Sequence, residues 1–428
     1  MSTETSTTPT AVAPQQLMTV LMASVLMGIL SAIVASLFLL VVEKSQEFLY
    51  HDMPHAMGLE GAPWWWAGII LGIAAVIVVF ARTLPGNTGK GPLTGFHFDT
   101  PLKFVPAVIL AALASLIGGV ALGPEAPLIV LGTTLGALFT IGKPENSRKA
   151  MMFIGGAAAI GAVFGNPFIT GFMILEFAAL GAAPAALLLP VFTALASSYI
   201  VSIGIWQIPG LGVHSLTVPG LPAYASIQAG DLLAGLLIAL VAAVVAVLTR
   251  KGGLGVDRIA KKWPTLMLFG AALITTIVLL VGETVFHLNP NQILFSGNDG
   301  MPELIAQTSL AAVIFILTGK SIAFAAALGG GFRGGPIFPA TFLGVAVGVL
   351  GSLLLPDANV SALAAAGIAA SAAAFTKLPA TSALLGALLI AGTGAAIAPF
   401  AIFGAVIGLL TRLLTDRRSE RATVQLDA

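Results

Sequence analysis

Apolar runs recur from one end of the chain to the other, broken by short stretches rich in Gly, Pro and charge. Runs of roughly 17–25 residues are long enough to cross a bilayer. The first predicts a span over 17–42, followed by an acidic loop at 43–62 with Glu43, Glu47, Asp52 and Glu60 against Lys44. Pro63-Trp64-Trp65-Trp66 stands where an interfacial aromatic belt would, ahead of a second span to Arg82. An irregular Gly-rich stretch covers 84–101, and a span follows over 102–122. Shorter helices lie on either side of the charged loop Lys143–Lys149 and of Phe164-Gly165-Asn166-Pro167, the last carrying Glu176. A span at 183–206 and a polar connector at 209–230 come next. Spans at 231–250 and 264–281 are separated by a basic loop holding Arg250, Lys251, Arg258, Lys261 and Lys262. Beyond the irregular residues 296–302 come a span at 310–328, the Gly-rich stretch 329–335, and helices to 356, at 361–375, at 379–394 and at 399–414. The polar ends 1–16 and 415–428 read as cytoplasmic tails, the first disordered and unlike a cleaved signal peptide.

Composition sharpens this to an all-α polytopic membrane protein. Of 428 residues, 57% are hydrophobic and only 9% charged, against about 25% charged in soluble domains. With no cysteine and five scattered histidines, no metal or cofactor site is expected. A net charge of +1 gives no reason to expect nucleic acid. No grouping of His, Asp and Ser and no phosphate loop supports an enzyme.

One carboxylate is out of place in this oil. Gly123-Pro124-Glu125-Ala126-Pro127 predicts a helix that starts in mid-membrane with Glu125 in its first turn. Such an N-terminus carries about half a positive charge and free N–H groups, so it attracts anions. A first-turn carboxylate is often only a favourable dipole partner. A charge at membrane depth costs about 2.5–3.5 kcal/mol, which argues for function.

Landmarks of the first half return in the second at an offset of roughly 211 residues. Gly86-Asn87-Thr88-Gly89 returns as Gly297-Asn298-Asp299-Gly300, Pro127 as Pro339, and Phe164…Pro167 as Phe375…Pro379. The acidic loop at 43–62 corresponds to the basic one at 250–262, so the halves, 17–208 and 231–414, are expected to be inverted. Inverted repeats of broken helices meeting near the midplane typify ion-transport folds. The same rule puts both termini in the cytoplasm of a plasma (inner) membrane protein.

These motifs resemble those of the CLC family of chloride channels and proton/chloride antiporters. Gly123-Pro124-Glu125-Ala126-Pro127 looks like its G-[KR]-E-G-P, Gly334-Gly335-Pro336-Ile337-Phe338-Pro339 like its G-G-x-F-x-P, and Phe164-Gly165-Asn166-Pro167…Glu176 like its F-N-x-P-L…E segment. The variants are similar to a divergent bacterial subgroup of ion-transport proteins. The resemblance implies a CLC-like inverted repeat of broken, tilted helices, a homodimer with one pore per subunit, and a small anion as cargo. Glu125 would be the gate, blocking the anion site when ionised and swinging away when protonated. Anion-binding positions by match are Thr88, Gly89, Lys90, Gly91, Gly123, Ala126, Gly335, Ile337 and Phe338. Glu176 and Arg333 are accessory candidates, each also open to a purely structural reading as a cap or an ion pair.

Departures from the family pattern narrow this. No serine stands in Thr88-Gly89-Lys90-Gly91-Pro92, where Thr88 is the available hydroxyl. Pro336 removes a backbone N–H. The tyrosines are Tyr50, Tyr199 and Tyr224, none in the place of the family's pore tyrosine, so a more open inner gate is expected. Phe177 stands where antiporters place a proton-relay glutamate. The expectation is chloride transport, channel-like or weakly proton-coupled. A fluoride exporter or proton-coupled antiporter of the same fold is the alternative, and a carrier for an organic anion or a cation the alternative of another class.

Overall fold

A computed structural model describes residues 14–211 and 218–426, with side chains to 417. Residues 1–13 of the expected tail and 212–217 of the connector lie outside it. Among the described residues, helices of ten residues or more fall into two sets of seven. The first set is α1 Pro14–Glu47, α2 Trp64–Ala81, α3 Val105–Ile117, α4 Glu125–Phe139, α5 Glu145–Val163, α6 Pro167–Ala179 and α7 Leu188–Trp206. The second is α8 Ala229–Ala260, α9 Pro264–Phe286, α10 Leu310–Gly330, α11 Ile337–Leu354, α12 Val360–Thr376, α13 Pro379–Leu388 and α14 Ala398–Leu426. Among the described residues, eight spans are long and apolar enough to cross a membrane.

The two sets pack alike. α1 lies on α5 and α7 as α8 lies on α12 and α14, and α4 lies on α5 as α11 lies on α12. Glycines explain the last pairing. Gly132 of α4 touches the Gly155 carbonyl of α5, and Gly344 of α11 touches Gly367 of α12, so closely that a Cβ at any of them would overlap backbone. Both glycines recur at an offset of 212 residues. Small residues let backbones approach where lipid gives no hydrophobic drive for helices to associate.

Five expectations change. The acidic loop at 43–62 is mostly helix: α1 runs to Glu47 and continues as a π turn, Phe48–Asp52, and a short helix to Ala56. Lys44 pairs with Glu47 one turn on at 2.6 Å, while Gln46 and Tyr50 donate to the carbonyls of Leu116 and Gly118. The basic loop at 250–262 is likewise the end of α8, broken only before Pro264. The span expected over 102–122 is a 13-residue helix that stops at Ile117, where Gly119 takes φ +83°. The sequence 415–426 continues α14 without a break. In the tryptophan run, Trp65 is exposed but Trp66 is buried and donates to the Leu49 carbonyl at 2.8 Å, so the belt reading fails for Trp66.

Candidate functional site

α4 and α11 begin where the halves meet. The segment before each is extended, and Gly123 and Gly335 form an antiparallel bridge, with N–H···O distances of 2.8 and 2.6 Å. Proline at 124 and 336 precedes each helix, lacking the N–H that a longer strand pair would need. The N-termini of two inverted helices thus face one point.

Glu125 occupies that point. Its side chain is fully buried, and Oε1 accepts the backbone N–H of Phe338 in the first turn of α11 at 2.9 Å. Oε2 is buried without a hydrogen-bond partner among the described residues. A Cβ on Gly123 or Gly335 would overlap this carboxylate, so glycine at both positions makes its berth. Phe338 stacks on Phe164 at 6.0 Å. The carboxylate fills the anion-attracting position of α11.

Two cavities reach residues next to the bridge, with different linings. One, of about 620 Å³, reaches Ala126, Pro127, Gly334 and Pro336 and is lined by Lys90, Arg250, Arg333, Lys377 and Arg412 with Asp99. The other, of about 1170 Å³, reaches Leu122, Pro124 and Phe338 and is lined by Glu43, Glu47, Glu60, Glu283 and Asp299 with Lys44 and three histidines. Glu125 lines neither cavity.

The other candidates divide. Gly123, Ala126, Gly335, Ile337 and Phe338 surround the Glu125 position. Thr88 to Gly91 belong to a separate loop, in which Gly86, Asn87, Thr88 and Gly89 in succession have positive φ. The Thr88 hydroxyl donates to the Asn87 carbonyl at 2.6 Å. Lys90 sits at the cavity rim, half exposed, bonded to Asp99 at 3.2 Å and His97 at 3.0 Å. Burial, and then the Lys90 charge, hold the His97 pKa below its ordinary value. Gly91 accepts from the Thr94 hydroxyl at 2.7 Å.

Glu176 is a cap. Its oxygens accept the N–H groups of Ala380 and Thr381 at 2.7 and 2.8 Å, and the Thr381 hydroxyl, at the start of α13. Arg333 forms no ion pair among the described residues; its guanidinium donates to carbonyls, including Thr88 O at 2.8 Å. Asp231 accepts from Tyr224 and from the Asn359 N–H at the start of α12. Lys320 is fully buried, donates to the carbonyls of Leu294 and Phe295 at 2.5 and 3.0 Å, and lies 4.9 Å from the Phe342 ring centroid. Its only sequence signal was a lone cation inside an apolar run. Phe177 packs with Phe96 and Phe98 in an aromatic cluster beside the basic cavity.

Residues 87–412 match the model of a family described as "Voltage gated chloride channel". Relatives named "Putative ion-transport protein YfeO", from Escherichia coli O139:H28 and Escherichia coli K12, are each 28% identical over 343 residues, 76% of this chain and 77% of theirs. A solved structure of a slow cyanobacterial Cl−/H+ antiporter shares the fold with a TM-score of 0.76 at 16% identity, covering 94% of this chain and 95% of its own. A CLC-type fluoride/proton antiporter does so with a TM-score of 0.72 at 18% identity, covering 94% and 97%.

Proposed function

This chain belongs to the voltage-gated chloride channel family, a family of transport proteins and not of enzymes, and on that premise we propose that it carries small anions, chloride first, through a pore gated by Glu125. The observation that carries this reading is the Glu125 carboxylate at the α11 N-terminus, fully buried between two chambers, with one oxygen unpartnered. A permeating anion and an ionised carboxylate compete for the same N–H groups and the same helix dipole. A protonated carboxyl competes poorly, because its hydrogen bond to an N–H is weaker than a carboxylate's. Flux therefore rises as pH falls.

The basic chamber supports a cytoplasmic assignment, and the acidic one an outward assignment in a plasma membrane. Residues 43–56 border the acidic chamber, which leaves the start of α1 on the cytoplasmic side. A homodimer with a pathway in each subunit rests on family membership alone.

Channel-like or weakly coupled movement is the preferred reading, because the Phe177 cluster puts three rings where a proton relay would need a polar group. The antiport reading keeps a place through the structural neighbours, whose titles name chloride/proton and fluoride/proton exchange. Ion-selective electrodes on proteoliposomes, recording chloride, fluoride and pH together, separate the two. Chloride efflux with no stoichiometric proton uptake is expected. A fixed proton ratio would establish antiport, fluoride-selective efflux would change the cargo, and absence of all anion flux would remove the reading.

A further inference from the structure

The neck of the basic cavity, next to Gly334 and Pro336, holds one charged side chain that touches both halves of the molecule. Arg333 Nε donates to Thr88 O at 2.8 Å and Nη2 to Gly89 O at 3.3 Å, in the first half. Nη1 donates to Gly331 O and Phe332 O at 3.3 and 3.2 Å, in the second. A guanidinium has five N–H donors, so four face carbonyls and one remains. Carbonyls orient the group without neutralising it.

The carboxylates on this side are engaged elsewhere: Asp99 with Lys90, Asp257 with Lys261, and Asp416 with Lys377 and Arg412. A second guanidinium adds to the charge. Arg82 lies against Gly331, the residue whose carbonyl Arg333 contacts, and its Nη1 is buried without a hydrogen-bond partner among the described residues. Two groups beside Arg333 add no donor. Pro336 has no N–H, and the Thr88 hydroxyl is bonded to Asn87.

We propose that Arg333, with Arg82 behind it, is the specificity-determining residue of this neck: it holds the passing anion and favours weakly hydrated anions, chloride and nitrate, over fluoride. The inference rests on the anion-transport reading above. A strongly hydrated ion needs several ligands in place of its water shell. A weakly hydrated guanidinium with one free N–H supplies charge but few donors. Lysine would supply a compact, strongly hydrated charge instead.

The test is efflux from liposomes holding the full chain, with half-saturation for chloride and chloride:nitrate:fluoride ratios measured for wild type, Arg333→Gln and Arg333→Lys. Arg148→Gln, which removes a surface pair with Glu145, serves as the control. Arg333→Gln should raise the chloride half-saturation about tenfold, the scale of losing one charged hydrogen bond. Arg333→Lys should keep half-saturation within about threefold and shift selectivity towards fluoride. Wild-type ratios and half-saturation in a monodisperse Arg333→Gln would overturn the proposal. If that variant does not fold, an unchanged selectivity in Arg333→Lys overturns it. Either result leaves wild-type anion flux, and so the transport reading, standing.

Discussion

Glu125 and Glu176 share an arrangement and differ in one respect. Each leaves a helix of the first half and caps a helix of the second, α11 for Glu125 and α13 for Glu176. Glu176 uses both oxygens, accepting two backbone N–H groups and a hydroxyl. Glu125 accepts one backbone N–H on one oxygen, and its other oxygen is buried and unpartnered. A buried acceptor left unsatisfied costs about 1–3 kcal/mol. Glu176 is therefore a staple, and the incomplete cap of Glu125 is what supports the proposal that it is a displaceable plug. Asp231, which accepts from Tyr224 and from the start of α12, belongs with the staple.

Gly335→Ala should break the comparison most strongly, because the new Cβ overlaps the Glu125 carboxylate. Overpacking of this kind costs about 1–3 kcal/mol, and the plug is the part free to move. Flux that no longer depends on pH, with a lowered melting temperature, is expected, and a wild-type pH profile would contradict the berth. Glu176→Ala should leave the pH profile unchanged while lowering stability by about 1–3 kcal/mol, the cost of stranding the α13 donors. Thermal unfolding in detergent reads the loss, and an altered pH profile would make Glu176 part of the gate.

The smallest effect concerns His97 at the cavity rim. Burial and Lys90 hold its pKa below 6.5, so the folded protein favours the neutral ring. That contribution is complete above pH 6.5 and fades as pH falls through the lowered value. His97→Asn should flatten melting temperature against pH in the mildly acidic range only. An unchanged slope there would remove His97 from the rim's stability.

The sequence made the spans, the mid-membrane helix start at Glu125 and the repeat readable, because these rest on local pattern and on residues at a fixed offset. The glycine contacts 132/155 and 344/367 became visible only once the helices were packed. The partners of the carboxylates were not readable either. Glu176 meets Thr381 across 205 residues, and no local pattern encodes that contact. Charge clusters misled at 43–56 and 250–260, where helices run on past the apolar stretch. There the charges pair one turn apart, Lys44 with Glu47 and Lys261 with Asp257. Lys320 and Arg333 were visible as cations, yet both are held by carbonyls and not by carboxylates.

The central claim is that Glu125 is a plug because its cap is incomplete. It is tested by chloride efflux from proteoliposomes between about pH 3.5 and 7.5, a range that brackets ordinary carboxyl titration, for wild type, Glu125→Gln and Glu176→Gln. Wild type and Glu176→Gln should both gain flux as pH falls, while Glu125→Gln should carry a high flux that does not change with pH. A Glu125→Gln profile that follows wild type would contradict the account.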